Sequence, residues 1–338
     1  MKVASNLFET VGNTPLVRLN RVTKGVRAEI LGKLEFFSPS GSLKDRILHW
    51  MIEKAEKRGD LKPGMTIVEA TTGNTGIATA MASAVKGYKC IIVMPGGMSE
   101  ERKKIIRAYG AELVETPGGE SDVDLTLEKV KEILAANPGK MWEVRQFSNP
   151  DNAEAHYLTT GPEIWSQTDG RVDAFVATQG TGGTISGVGK FLREKKKAVK
   201  LYAVEPAECP ILSGGDWGVH KIEGIGDGFI PDVLDVDILD GIVKIASDDA
   251  IEMAQRLGRE EGLFCGISSG CNVEAALRLA HAHPELNVIV TMINDSGQRY
   301  FSTELCGELA ADWVGESQDR TVEVDRSRIK GKRYEILG

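Results

Sequence analysis

Short runs rich in β-branched residues alternate with helical patterns along most of this chain, and that alternation restricts its fold more than any other feature. Thr66-Ile67-Val68-Glu69 precedes a small-residue helical stretch over 77–86, then come Cys90-Ile91-Ile92-Val93-Met94, a charged helical stretch over 99–109, and Glu112-Leu113-Val114. The order recurs as Ala174-Phe175-Val176-Ala177, a glycine-rich turn, a helix to about Arg193, and Lys200-Leu201-Tyr202-Ala203-Val204. A third block runs through helical patterns over 248–261 and 272–281 to the apolar run 287–292. Strand, helix, strand in this rhythm predicts parallel βαβ units, hence an α/β protein of two doubly wound lobes.

The length of 338 residues exceeds one ordinary domain and falls short of three,. Turn-rich segments, Pro117-Gly118-Gly119-Glu120 and Ser148-Asn149-Pro150-Asp151-Asn152, interrupt the pattern, and the second marks a lobe edge,. The expected division is a larger lobe from 1–44 and 151–314, a smaller lobe over 45–150, and a charged, peripheral tail over 315–338,.

A formal net charge of -8 offers no basic field for a polyphosphate, so nucleic acid is not an expected partner,. No apolar run approaches the roughly 20 residues that cross a bilayer, and Met1-Lys2-Val3-Ala4-Ser5-Asn6 lacks a signal-peptide core, so a cytoplasmic location is expected,. Cys90, Cys209, Cys265, Cys271 and Cys306 are odd in number, scattered and never spaced C-x-x-C, which predicts buried free thiols rather than disulfides or a metal site,.

Three loops carry chemistry. Thr71-Thr72-Gly73-Asn74-Thr75-Gly76 follows a strand and opens a helix, so its amides and hydroxyls form an anion cradle suited to a carboxylate, although an N-capped turn would also account for it,. Gly180-Thr181-Gly182-Gly183-Thr184 also stands between strand and helix; its glycines allow close backbone approach and its threonines add donors for a phosphate monoester,. It matches neither G-x-x-x-x-G-K-[ST] nor G-x-G-x-x-G, so the phosphate is expected on something other than a nucleotide,. Ser40-Gly41-Ser42-Leu43-Lys44-Asp45-Arg46 leads into a helix expected from about Ile47, and a lysine at a helix's positive end has a disfavoured ammonium and readier imine chemistry,.

Together these strings resemble the β-family, fold type II, of pyridoxal-phosphate enzymes, in the branch of cysteine synthase and cystathionine β-synthase. The resemblance rests on Val11-Gly12-Asn13-Thr14-Pro15-Leu16-Val17-Arg18-Leu19, the S-x-K-D-R string around Lys44, Gln146-Phe147-Ser148-Asn149-Pro150, Thr160-Gly161-Pro162-Glu163-Ile164-Trp165, the Gly180 loop, Glu223-Gly224-Ile225-Gly226-Asp227-Gly228-Phe229-Ile230-Pro231 and Gly266-Ile267-Ser268-Ser269-Gly270. They occur in the family's order and cover nearly everything before about Leu309.

The resemblance implies pyridoxal 5'-phosphate joined to Lys44 as an imine, with Lys44 later acting as the base for the α-proton. It implies that Asn74 meets the cofactor's phenolic oxygen, that Gly180, Thr181, Gly182, Gly183 and Thr184 receive its phosphate, and that Thr71, Thr72, Gly73, Thr75, Gln146 and Gly226 surround the substrate. Ser296, in Asn294-Asp295-Ser296-Gly297, is the expected partner of the pyridine nitrogen, with Asp295 as the alternative; a neutral hydroxyl there makes the ring a weaker electron sink and favours loss of a β-substituent,. Asp227 replaces the alanine of many relatives and is a candidate catalytic carboxylate that orients the amino group, accepts a proton or assists a poor leaving group,.

The activity implied is cysteine synthesis from O-acetylserine and sulfide through an aminoacrylate intermediate. Serine- or cysteine-using replacement or elimination, yielding cystathionine, lanthionine or hydrogen sulfide, is the alternative, and a scaffold role with the C-terminus of serine acetyltransferase is a third. The resemblance also implies a homodimer and a smaller lobe that closes on the substrate carboxylate. Arg102 and Lys103 offer an anion site, but their charged run favours a solvated helix face,.

Overall fold

A computed structural model describes residues 3–307 and 322–338. Among the described residues the strands are β1 (Leu16–Arg18), β2 (Glu29–Leu34), β3 (Thr66–Ala70), β4 (Lys89–Pro95), β5 (Glu112–Thr116), β6 (Met141–Glu143), β7 (Ala174–Thr178), β8 (Lys200–Pro206), β9 (Gly241–Ile245), β10 (Val288–Ile293) and β11 (Glu335–Leu337). The helices are α1 (Lys44–Arg58), α2 (Asn74–Lys86), α3 (Glu100–Ala108), α4 (Val123–Ala136), α5 (Asp151–Ala155), α6 (Gly161–Gln167), α7 (Gly183–Lys195), α8 (Ser247–Arg256) and α9 (Ile267–Ala282). No helix among the described residues is long and apolar enough to cross a membrane.

The strands form two sheets. One has the order β5-β4-β3-β6 and is parallel throughout; the other has the order β1-β2-β10-β7-β8-β9-β11, parallel except for β1 against β2. Burial on both faces explains the continuous apolar runs: every residue of β10 is buried, and along β7 Ala174 and Val176 join one core while Phe175 and Ala177 join the other,. Each valine, isoleucine, methionine or phenylalanine among them contributes about 1.5–3 kcal/mol when fully buried. The small-residue pattern of α2 has the same origin, since Ile77, Ala78, Ala80, Met81 and Ala82 are all buried. Gly59 and Gly87 stop α1 and α2 in the left-handed conformation that glycine adopts without a Cβ penalty,.

Three expectations are corrected. α1 begins at Lys44 rather than near Ile47, which puts the lysine on the helix's first turn. Of the tail, 315–321 lie outside the described residues, but the chain's end is no loose arm: β11 pairs in parallel with β9, and Glu335 accepts hydrogen bonds from Tyr202 and His283. Cys306 is exposed, whereas Cys90, Cys209, Cys265 and Cys271 are buried as expected.

In both sheets the chain reverses its winding direction beside a strand whose end opens a loop. In the smaller sheet β3 lies between β4 and β6; in the larger, β7 lies between β8 and β10. Ligands of open α/β sheets bind at such switch points, outside the strands' carboxyl ends.

Candidate active site

The carboxyl end of β3 delivers Thr71, Thr72, Asn74 and Thr75, and that of β6 leads to Gln146. The carboxyl end of β7 delivers 179–184, and that of β10 delivers Asn294, Asp295 and Ser296. Two adjoining cavities lie among these ends and share Lys44, Gly180, Thr181 and Gly224. Thr71, Thr72, Asn74, Thr75, Gln146, Phe147 and Asp227 complete the first. The second adds Gly182, Thr184, Thr178 and Asn294.

Lys44 is held by the backbone before it. The Leu43 amide donates to the Asn294 carbonyl at 3.0 Å, and Ser42 bridges to Asp295, so the start of α1 is tied to the end of β10. Gly41, at φ +85, makes the turn with the Arg299 guanidinium against it,. The Lys44 amine makes no hydrogen bond or ion pair with another described residue. Burial pulls its pKa below the usual lysine range, opposed by the charges of Asp227, Asp295 and Glu120,. An unpartnered amine in a cavity, its ammonium disfavoured by burial, is equipped to attack a carbonyl carbon,.

Two cradles flank this amine. In the first, the Thr75 hydroxyl donates to Gln146 Oε1 at 2.5 Å, and Gln146 Nε2 donates to the Ala70 carbonyl at 2.9 Å, which fixes the loop at the N-terminus of α2. The first-turn amides of a helix have no intrahelical acceptor and point at the cavity's end, as carboxylate binding needs. In the second, Gly182 takes φ +80 and α7 starts at Gly183. Asn152 donates to the Thr181 hydroxyl at 3.0 Å, and the Thr184 hydroxyl meets His156 Nε2 at 3.2 Å. Burial and the charges of Arg46 and Lys44 keep the His156 pKa well below the ordinary histidine value, so the ring is a neutral partner.

Asn74, Asp295, Tyr300, Arg102 and Glu223 form one polar chain across the two sheets. Asn74 Nδ2 and the Tyr300 hydroxyl both donate to Asp295 Oδ2, at 2.6 and 2.7 Å, and Arg299 donates to Asn74 Oδ1 at 2.8 Å. Arg102 donates to the Tyr300 hydroxyl at 2.7 Å and forms an ion pair with Glu223.

Most of the expected residues therefore converge, and four do not reach the cavities. Gly73 backs onto Arg102, and Gly183 starts α7 beside Asn152. The Gly226 amide donates to the Gln179 carbonyl, and Gly224 lines the cavities in its place. Ser296 lies outside both cavities: its hydroxyl caps the following turn through the Gln298 amide, while Asn294, two residues earlier, lines the second cavity. The Asp295 carboxylate is committed to Asn74 and Tyr300. Arg102 and Lys103 overturn the solvated-face expectation, since both are buried and Lys103 donates to the Gly96 carbonyl at 2.6 Å. The missed signal is spacing: Arg102 stands with Ile105, Ile106 and Tyr109 on one i, i+3, i+4, i+7 stripe,. Glu120 and Phe147 stand in strings already noted in the sequence, a turn-rich segment and a family motif, but neither residue type carries a role that its string alone would reveal.

A family model described as pyridoxal-phosphate dependent enzyme matches residues 7–295. A cysteine synthase of Staphylococcus aureus is 47% identical over 305 residues, covering 90% of this chain and 97% of the relative. A crystal structure of cysteine synthase from Entamoeba histolytica superposes with a TM-score of 0.85 at 45% identity, covering 90% of this chain and 91% of that one. A hydrogen sulfide-producing enzyme from Fusobacterium nucleatum gives 0.83 at 43%, covering 88% and 98%. The site fits the group that the family uses, because an unpartnered buried amine stands beside a glycine-lined helix N-terminus able to take a phosphate ester,. The chain belongs to the pyridoxal-phosphate-dependent enzymes.

Proposed function

We propose that this chain is a cysteine synthase, replacing the β-substituent of O-acetylserine by sulfide. The observation that carries the reading is the position of Lys44, whose amine faces one cavity wall built for a carboxylate and another built for a phosphate ester. Bound there, the cofactor supplies an electron sink that acidifies the amino acid's α-carbon. Lys44 Nζ takes the α-proton and later returns it. Thr71, Thr72, Thr75, Gln146 and the first amides of α2 grip the α-carboxylate, and Asn74, oriented by Asp295 and Arg299, presents its amide to the cofactor's ring substituent. Gly180, Thr181, Gly182 and Thr184 hold the phosphate.

The segment 45–150 closes over the substrate and excludes water, a reading supported by the contacts of Asn74 with Asp295 and of Arg102 with Tyr300 and Glu223, which join the two sheets' neighbourhoods,. The decisive experiment is cysteine formation from O-acetylserine and sulfide by the protein loaded with pyridoxal phosphate, with Lys44→Ala as control. Turnover lost in Lys44→Ala together with the bound cofactor's visible absorbance is the expected result; undiminished turnover in that variant would sink the assignment.

Asp227 favours a second reading, in which serine or cysteine is the donor. Its carboxyl lines the substrate cavity with Lys44 and is buried, which raises its pKa above the usual aspartate range and makes it an acid able to protonate a poor leaving group,. Asp227→Ala should depress turnover on serine or cysteine more than on O-acetylserine; equal losses on all three would remove this role.

A further inference from the structure

Glu120 stands directly behind the substrate cavity and belongs to none of the roles above. It begins the short turn Glu120–Asp122 ahead of α4 and is 5% exposed. One carboxyl oxygen accepts the Gly224 amide at 2.8 Å, and the other is buried without a hydrogen-bond partner. Gly224 lines both cavities and lies three positions before Asp227, so two carboxyls of distant segments are packed against one loop.

The charges around the pair leave it short of a cation. Arg102 faces Glu120 but is committed to Glu223, and Lys44 faces Asp227 but is the amine the cofactor takes. The Thr72 hydroxyl is near Glu120 without completing a hydrogen bond to its second oxygen. Beside Asp227 lie the Cys209 thiol, which burial keeps protonated, and His220, which burial keeps neutral while it contacts the Gly226 carbonyl. Desolvation raises both carboxyls, and the charge of Asp227 raises Glu120 further. Two buried carboxyls without a free counter-ion resist losing their last proton, because the second ionisation must be made against the first, and the unpartnered Glu120 oxygen has no donor to stabilise its charge,.

We propose that Glu120 is a positioning residue that keeps a proton on the Glu120–Asp227 pair through neutral pH, and that Asp227 delivers this proton to the departing β-substituent. Lys44 Nζ takes the α-proton. As the bond from Cβ to the leaving atom breaks, its electron pair stays on that atom and the Asp227 proton joins it, so water or hydrogen sulfide departs and Asp227 is left as carboxylate. The incoming thiol forms the new Cβ–S bond and passes its S–H proton to the pair, and Lys44 returns its proton to Cα. No oxidant or reductant is needed. The inference rests on serine or cysteine being a donor.

The test begins with the cofactor-loaded protein without amino acid, in which the Lys44 amine is taken, so it does not depend on turnover. Infrared titration of the carboxylic-acid band, taken as wild type minus Glu120→Gln and wild type minus Asp227→Asn, separates the pair from Asp45, Glu69, Glu143 and Glu205, the other carboxyls among the described residues that burial raises. Either substitution should abolish the pair's upper ionisation step and leave one step at least about one pH unit lower, a tenfold loss of proton affinity. In the loaded enzyme, Glu120→Gln should move the alkaline limb of kcat for serine or cysteine down by the same amount and spare O-acetylserine. An upper step that survives in Glu120→Gln overturns the proposal, and should that variant fail to fold, survival in Asp227→Asn overturns it equally. Failure of the wild type to use serine or cysteine, with the two-step titration intact, would instead defeat the donor reading alone.

Discussion

The guanidinium of Arg102 donates to the hydroxyl of Tyr300 at 2.7 Å and lies over its ring, 4.6 Å from the centroid. These residues come from α3 and from the loop after β10, so the contact joins the surroundings of the two sheets directly beneath Gly73 of the substrate loop. The hydroxyl also donates to Asp295, which orients Asn74.

Tyr300→Phe keeps the ring and removes the relay. Arg102 then loses an acceptor and Asp295 a donor, and each loss among buried groups costs about 1–3 kcal/mol. Because the relay supports the substrate loop, the amino-acid donor's KM should rise about tenfold, equivalent to about 1.4 kcal/mol of binding. Steady-state kinetics check this; a fall in kcat with KM unchanged would contradict it.

Glu163 predicts an acid limit to stability. Its carboxylate accepts from Arg46 Nη1 and Nη2, both at 2.7 Å, and from the Asn13 amide at 2.9 Å, and pairs with the fully buried Lys33 at 2.7 Å. Against the cost of burial, Arg46 and then Lys33 hold its pKa down at about 2, from 4.5. A depressed carboxylate stabilises the fold above its unfolded pKa and loses that contribution as pH falls through its folded pKa, so the loss spans about pH 4.5 to 2,. The contribution is about 3 kcal/mol, from about 1.4 kcal/mol per pH unit. Glu163→Gln should flatten this part of the stability–pH curve and cost about 3–5 kcal/mol at neutral pH by leaving the buried Lys33 without its carboxylate, while Arg46 keeps Glu35,. Denaturant unfolding at several pH values decides it; equal slopes in both proteins would refute the account.

The parallel sheets were legible because their strands are buried on both faces and read as continuous apolar runs, as β4, β7, β8 and β10 do,. β1, β6 and β11 were not, since three residues at an edge or strand end carry no period. The loops at Thr71 and Gly180 were readable from glycine and hydroxyl spacing between a strand and a helix,. For Arg102 the apolar stripe it shares with Ile105, Ile106 and Tyr109 is the local sign of burial, but its partners Glu223 and Tyr300 stand 121 and 198 positions away, where no local window reaches. The turn at Ser296 could not be read locally: its oxygen caps Gln298, while Asn294, two residues earlier, lines the cavity.

Gln146 ties the carboxylate cradle together and should be separable from the cofactor. Gln146→Leu leaves the Ala70 carbonyl and the Thr75 hydroxyl without their present partners. One such buried loss costs about 1–3 kcal/mol, so stability should fall by about 2 kcal/mol and the donor's KM should rise at least about tenfold. Visible absorbance of the bound cofactor should be unchanged, because the phosphate loop is untouched. Loss of cofactor from this variant would show that the two cradles are not independent.

Gly182→Ala strikes the other cradle. At φ +80 an alanine is strained, at about 1–2 kcal/mol,. Its Cβ would also lie 2.5 Å from Leu234 Cβ and 2.8 Å from Leu234 Cα, and the second of these is backbone that no rotamer change can clear. The loop must therefore move, and with it the amides at the start of α7. Affinity for pyridoxal phosphate should fall at least about tenfold, about 1.4 kcal/mol, while the cofactor-free protein stays folded because the shift is confined to one loop. Equilibrium dialysis followed by visible absorbance measures the first, and far-ultraviolet circular dichroism the second. A folded Gly182→Ala protein that binds the cofactor as tightly as wild type would exclude this loop as the phosphate site, since its amides could not be displaced and still hold the dianion.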